Sequence, residues 1–205
     1  MVAGDDAMAR IVRARGVRTS AEAAALYRSW ATEYDADVFG LAGVTGTDRI
    51  ADLLAEHLPD RAAPIVDLGC GTGAAGARLH RHGYTTLDGI DLSPEMLAVA
   101  ASKKVYRSLV AADLGSGLPV RDGTYAAAVS AGTFRLGHVG VEAVAAITRA
   151  LRPGAVVAWT IAEWAPFALA VSTWEILHLT SEPFRRGGDA DMTMLVARLG
   201  QMVDQ

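Results

Sequence analysis

The sequence predicts an α/β protein, a doubly wound sandwich around a seven-stranded, mostly parallel sheet. Three observations carry that expectation. Short apolar runs alternate with helix-patterned segments from residue 64 to residue 160. A glycine-rich turn, Gly69-Cys70-Gly71-Thr72-Gly73, stands between the first of these runs and the helix pattern after it. The chain has 205 residues, 51% of them hydrophobic, which suits one substantial core and not two, so a single domain over 1–205 is expected.

Taken in order, residues 1–18 read as a loosely held leader. Thr19 or Ser20 can cap a helix over 21–34, in which Ala23, Leu26, Tyr27, Trp30 and Tyr34 fall at three- and four-residue steps and share a face. A second helix fits 48–57 and is stopped by Pro59. Residues 64–68 form the first strand, 74–82 a helix ended by Gly83, and 85–90 the second strand. Ser93-Pro94 is a good cap and first turn for a helix over 95–103. Strands follow at 105–111 and 125–130, then a helix over 140–151 closed by Pro153-Gly154, and a fifth strand over 155–160. The runs 174–180 and 192–197 read as a terminal hairpin joined across 186–189.

Composition narrows the function. Net charge is −4 and no run of Lys or Arg, Arg185-Arg186 included, exceeds two residues, so no footprint for nucleic acid is visible. A small-molecule substrate, no nucleic acid, and a monomer or homodimer are expected. Cys70 is the single cysteine, which rules out an intrachain disulfide. The start of the chain (Gly4-Asp5-Asp6, then Arg10, Arg13 and Arg15) has no apolar signal core. The apolar run over 155–162 is far shorter than the roughly 20 residues of a membrane span. No membrane association and a cytoplasmic location are expected.

The chemistry lies around the glycines. Glycine lets a backbone turn sharply and approach a ligand where a Cβ would collide. A strand followed by such a turn serves many nucleotide-like ligands; three carboxylates narrow the choice. Asp67, just before the glycines, suits an ammonium group and would repel a pyrophosphate. Asp91, eighteen residues past Gly73 at the end of the second strand, can accept hydrogen bonds from ribose hydroxyls. Asp113, at the end of the third strand, can accept from an exocyclic adenine amine. An amino acid, a ribose and an adenine together describe S-adenosylmethionine (SAM) better than a dinucleotide. The glycine spacing agrees, because position 74 is Ala and the next glycine falls at 76.

Val66-Asp67-Leu68-Gly69-Cys70-Gly71-Thr72-Gly73 resembles the first motif of class I SAM-dependent methyltransferases, and Gly89-Ile90-Asp91-Leu92-Ser93-Pro94-Glu95-Met96-Leu97 resembles the second. Ala112-Asp113-Leu114, Leu118-Pro119 and Leu151-Arg152-Pro153-Gly154 match later blocks in order. The stretch from Leu26 to Asp35 and the segment Ser130-Ala131-Gly132-Thr133-Phe134 are similar to the methyltransferase-like proteins related to the Williams–Beuren syndrome region.

The resemblance implies a Rossmann-like methyltransferase fold, with an N-terminal helical lid over 1–58 and a SAM-binding core over 59–205. By it, Gly69, Cys70 and Gly71 line the methionine part of SAM, and Asp67 supports the ammonium through water. Asp91 holds the ribose, Leu92 and Met96 flank the adenine, and Asp113 and Leu114 meet its edge. Ser130 and Ala131 face the transferred methyl, and Tyr27, Trp30 and Tyr34 belong to the lid. S-adenosylhomocysteine (SAH) is the implied product.

The family often carries an acid where Ala126 stands, a change expected to touch packing only. The segment 163–173 is short for the usual helix there, leaving the acceptor site open or completed by a partner chain. The expected reaction is methyl transfer to O, N or C of a small acceptor. The alternatives are a non-catalytic SAM-binding protein and an NAD-dependent oxidoreductase.

Other residues have competing readings. Cys70 fits as the small residue a glycine turn wants rather than as a nucleophile. The five histidines show no metal-ligand spacing, so no metal is expected. His138 follows the fourth strand, where substrate groups gather in this fold. It either acts as a general base or packs beside the helix beginning near Gly140. Arg135 either binds an acidic substrate or faces water.

Overall fold

Each of the first five apolar runs is followed by a segment that crosses back over the sheet, and the result is six strands running parallel, with one reversed among them. The computed structural model describes the backbone of residues 2–135, 137–188 and 191–200, and side chains from residue 6 onward. The strands are β1 (Ile65–Leu68), β2 (Leu87–Asp91), β3 (Ser108–Ala111), β4 (Tyr125–Phe134), β5 (Leu151–Ile161), β6 (Glu175–Pro183) and β7 (Asp191–Arg198). Their order in the sheet is β3-β2-β1-β4-β5-β7-β6, with β7 antiparallel to both neighbours. The expected seven-stranded, mostly parallel sheet is therefore present. Strand order reverses between β1 and β4, and a crevice opens beyond the C-terminal ends of strands at such a reversal.

Apolar residues cover both faces of the sheet. On one, α3 (Gly46–His57) and α4 (Ala74–Arg81) bring Ile50, Leu54 and Leu79 onto β1 and β4. On the other, α6 (Val144–Ala150) and α7 (Trp164–Ala170) pack with Phe134 and Trp159, whose rings lie 4.9 Å apart. α5 (Pro94–Ser102) begins as its sequence indicates: the Ser93 hydroxyl accepts from Met96 N–H at 3.3 Å, with Pro94 in the first turn.

The N-terminal part departs most from expectation. The supposed leader is α1 (Val2–Arg15), and it is held in place. Arg10 makes two hydrogen bonds to the buried Asp37 carboxylate, at 2.6 and 3.0 Å, and the Trp30 indole donates to the same group at 2.7 Å. Ala7, Ala14 and Val17 are buried. These contacts come from a site 27 residues along the chain, so no local pattern announces them. α2 (Ser20–Trp30) has Thr19 as its cap, accepting from Glu22 N–H at 3.2 Å, and ends four residues early. A π-helical turn over Ala36–Leu41 follows.

Three smaller differences concern the sheet. β4 runs on to Phe134, past the expected end at 130. β5 starts at Leu151, so Pro153-Gly154 lies within an irregular strand start instead of closing a helix. Residues 163–173 hold the short helix α7, anchored by buried Phe167. Asp189, placed in the hairpin connection, lies outside the described residues. Among the described residues no helix is long and apolar enough to cross a membrane.

Candidate active site

The loop after β1 is fixed from beneath. The N–H groups of Gly69 and Cys70 both donate to the Ile90 carbonyl, at 2.8 and 3.0 Å, tying the turn to β2. Gly69, Gly71 and Gly73 have φ of 66°, 52° and 85°, a left-handed backbone that other residues enter at a cost. What a side chain would meet differs among them. At Gly71 a Cβ would point into open space, so here a ligand can come to the backbone. At Gly73 it would come within 2.8 Å of the Tyr106 ring, and at Gly76 within 2.2 Å of the Tyr106 oxygen.

Those two glycines therefore make room for a tyrosine. Tyr106, which precedes β3, slides beneath the loop and donates to Asp67 Oδ2 at 2.6 Å. Sequence reading missed it, because nothing local links a tyrosine at 106 to glycines at 73 and 76. Asp67 is only 2% exposed and lies below the loop, outside the cavity lining. Burial pushes its carboxyl up to about 7, against the Tyr106 and Gly76 hydrogen bonds and with help from the Asp91 charge.

An acid raised in the folded state stays neutral there while the unfolded form ionises, so unfolding releases a proton. Between about pH 4 and pH 7 stability then falls as pH rises, and the loss is complete above that window. Asp67→Asn keeps an acceptor for Tyr106 and removes the ionisation. It is expected to flatten the decline in melting temperature between pH 5 and pH 8.5. A slope identical to that of the unaltered protein would show that Asp67 is charged in the folded state.

A first cavity opens above the loop. Its lining includes Gly69, Gly71, Asp91, Leu92, Met96, Asp113, Leu114, Ala131 and, from the N-terminal helices, Tyr27 and Tyr34. Ten of the residues selected from sequence are thus brought together here, and His138 joins them. Ser20, Ala23, Gly132 and Thr133 also line it; sequence reading assigned none of them to the ligand site. Asp91 is held by two backbone donors, Gly71 N–H to Oδ2 at 2.8 Å and Ser93 N–H to Oδ1 at 2.9 Å. Each oxygen keeps a lone pair for a ligand. Burial raises its carboxyl above the usual range, against those hydrogen bonds. Asp113 accepts from Gly115 N–H at 2.9 Å and stands at the rim.

Besides Asp67, three selected residues lie elsewhere. Ser130 does not face the cavity: it is fully buried and donates to the Leu68 carbonyl at 2.7 Å, pinning β4 to β1. Cys70 is buried beneath the loop, its sulfur facing Gly89, and burial pushes its thiol well up. Trp30 lines a second cavity and not the first.

That second cavity, of about 300 Å³, lies between the N-terminal helices and the ends of β4, β6 and β7. Tyr27, Tyr34, Ala131 and Gly132 line both cavities and so form the partition. The aromatic stripe is packed as a cluster: Trp30 and Tyr34 are edge-on at 4.8 Å, and Tyr27 and Trp30 stack at 6.2 Å. The Tyr27 hydroxyl lies 2.8 Å from His138 Nε2. Burial pushes the Tyr27 phenol up to about 12, with Arg135 opposing and Asp91 reinforcing. The Gly140 N–H is taken by Glu142, at 2.9 Å. Lys103 ties the N-terminal helices to the loop through Asp35 and the Thr72 carbonyl, both at 2.7 Å.

Fold and site define the class I methyltransferase architecture: a reversal-point crevice with a glycine loop and acids closing β2 and β3. Residues 65–154 match the methyltransferase-domain family, and SAM-dependent methyltransferases are among the solved structures that share the fold.

Human methyltransferase-like protein 27 is 35% identical over 156 residues, 74% of this chain and 62% of that protein; the chain thus spans about three-fifths of that relative. The 18S rRNA (guanine(1575)-N(7))-methyltransferase of Saccharomyces cerevisiae is 41% identical over 66 residues, 32% of this chain and 24% of that protein. The fold is shared with magnesium protoporphyrin IX methyltransferase of Synechocystis PCC 6803, solved with SAM bound, at a TM-score of 0.68 and 17% identity. That match covers 88% of this chain and 97% of the other.

The rRNA enzyme overturns one expectation. A partner list restricted to small molecules, with nucleic acid excluded, does not stand beside a relative that methylates a base in RNA. Net charge misled because it sums over the whole surface, whereas a base drawn out of its stack is read by the pocket that receives it.

Proposed function

We propose that the chain transfers a methyl group from SAM, held in the first cavity, to an acceptor held in the second. The observation that carries this is the shared wall: Tyr27, Tyr34, Ala131 and Gly132 belong to both cavities, so the two ligands would meet there. Asp91 would hold the ribose, Leu92, Met96 and Leu114 the adenine with Asp113 at its edge, and Gly69 and Gly71 the methionine end. SAM supplies a methyl already activated on a sulfonium. The protein's task is then alignment and exclusion of water, and proximity is worth several kcal/mol.

His138 is read as a general base acting through Tyr27. An acceptor proton passes to the Tyr27 oxygen as the tyrosine proton passes to His138 Nε2, which keeps the high-pKa phenol neutral throughout. His138→Ala and Tyr27→Phe are each expected to lower kcat by about 10²–10⁴, and the pair together by no more than either alone. The acid limb of the pH–rate profile should vanish in both. Unchanged kcat in both variants would remove the relay, and would point to an acceptor with a free lone pair, such as the guanine nitrogen that the yeast relative's name specifies.

The test of the function itself is transfer of an isotope-labelled methyl from SAM, scored separately in metabolite and RNA fractions. SAH binding without transfer to either fraction would favour a non-catalytic SAM-binding protein. Binding of NAD in preference to SAM would sink the reading altogether.

A further inference from the structure

The two cavities differ in charge. The charged residues lining the first are acids, Asp91 and Asp113. Among the described residues the second is lined by Arg15, Arg135 and Arg185 with Asp191 as the acid, in a chain whose net charge is −4. An acidic chamber suits a cationic sulfonium donor; a basic one beside it suits an anion. The basic chamber is also walled by rings, with Tyr27, Trp30, Tyr34 and Phe39 in one continuous cluster: Tyr34 and Phe39 meet edge-on at 6.3 Å.

We infer that the acceptor is a planar ring bearing an anionic group, stacked on this aromatic wall and anchored through that group by Arg135. This rests on the reading of the second cavity as the acceptor site. Arg135 directly follows β4, close to the partition, and lines the second cavity and not the first. Its charge is felt by both Tyr27 and Tyr34, whose phenols it pulls down against burial, so its guanidinium stands near the rings that would hold the acceptor. A guanidinium suits the task because its planar fork meets a carboxylate or phosphate with two parallel hydrogen bonds. With the anion at Arg135 and the ring against Tyr27, the reacting atom is directed at Ala131-Gly132, where the two chambers join.

The same chemistry could come from a free aromatic acid or from a nucleotide. The experiment is calorimetry on the full chain saturated with SAH, using naphthalene-2-carboxylate, the uncharged 2-naphthylmethanol of nearly the same shape, and guanosine monophosphate. One of the two anions is expected to bind at least about tenfold tighter than the alcohol, and Arg135→Ala should remove that preference while leaving the alcohol unchanged. Arg135→Lys should restore part of it. The anion that shows the Arg135 dependence identifies the source, carboxylate or nucleotide phosphate.

Equal affinity for anion and alcohol overturns the inference, as does a preference that survives Arg135→Ala, or no measurable binding of either anion. SAH titrated alone separates the two levels: failure of SAH to bind would remove the donor reading. SAH binding without an anion preference would remove only the acceptor chemistry.

Discussion

Asp91→Ala is expected to weaken SAH binding by at least about 100-fold, on the scale of two lost hydrogen bonds to a charged acceptor at roughly 1.5–3 kcal/mol each. The substitution acts twice. It removes the group proposed to hold the ribose hydroxyls, and it frees the Gly71 and Ser93 N–H groups that the carboxylate now binds at 2.8 and 2.9 Å. Gly71 is where the loop opens to the cavity, and Ser93 caps α5, which carries Met96. Asp91→Asn separates the effects: one amide oxygen can keep one backbone donor, but it cannot accept from two sides as a carboxylate does. It should fall between the unaltered protein and the alanine variant. Retention of full SAH affinity by Asp91→Ala, with circular dichroism unchanged, would remove Asp91 from the site.

Gly69→Ala should destabilise the fold by about 2–4 kcal/mol, from left-handed backbone strain and overpacking together. At φ 66° the backbone disfavours any Cβ, and that Cβ would stand 2.2 Å from Thr133 Oγ1 and 2.6 Å from its Cγ2. Thr133 cannot simply turn away, because its hydroxyl donates to the Leu68 carbonyl at 3.2 Å in the seam between β1 and β4. At this chain length the melting temperature should drop by roughly 5–15 °C. Thr133→Ala removes both close atoms and leaves the strain, so the double variant should recover part of the loss. A melting temperature within a degree or two of the unaltered protein would show that the loop relaxes freely. Purely additive losses in the double variant would show that Thr133 is not what Gly69 accommodates.

These two predictions mark the division between what was legible in the chain and what was not. Asp91 could be read because its neighbours are local: an apolar strand before it, a Ser-Pro helix start after it, and a fixed distance from the glycine turn. The same holds for Asp113, Leu92 and Met96, which reach the cavity because strand ends converge where strand order reverses. Ser130 was misplaced because strand residues alternate faces and only register decides which face meets the ligand. Its hydroxyl went to the Leu68 carbonyl, while Ala131 went to the cavity. Residues 1–18 read as a leader because α1 depends on Asp37 and on the packing of Ala7, Ala14 and Val17, none of it encoded nearby. The exclusion of nucleic acid failed for a related reason, since net charge says nothing about how charge is distributed between two chambers.

By itself, then, the sequence determined the sheet, the glycine turn and the acids at the ends of β2 and β3, because period, capping and spacing are short-range properties of the chain. Only the tertiary structure decided that Gly73 and Gly76 serve Tyr106, that Tyr27 meets His138 across 111 residues, and that an acidic and a basic cavity share one wall. Those are contacts between elements far apart in sequence, set by how the N-terminal helices close over the strand ends, and no local pattern of residues fixes them.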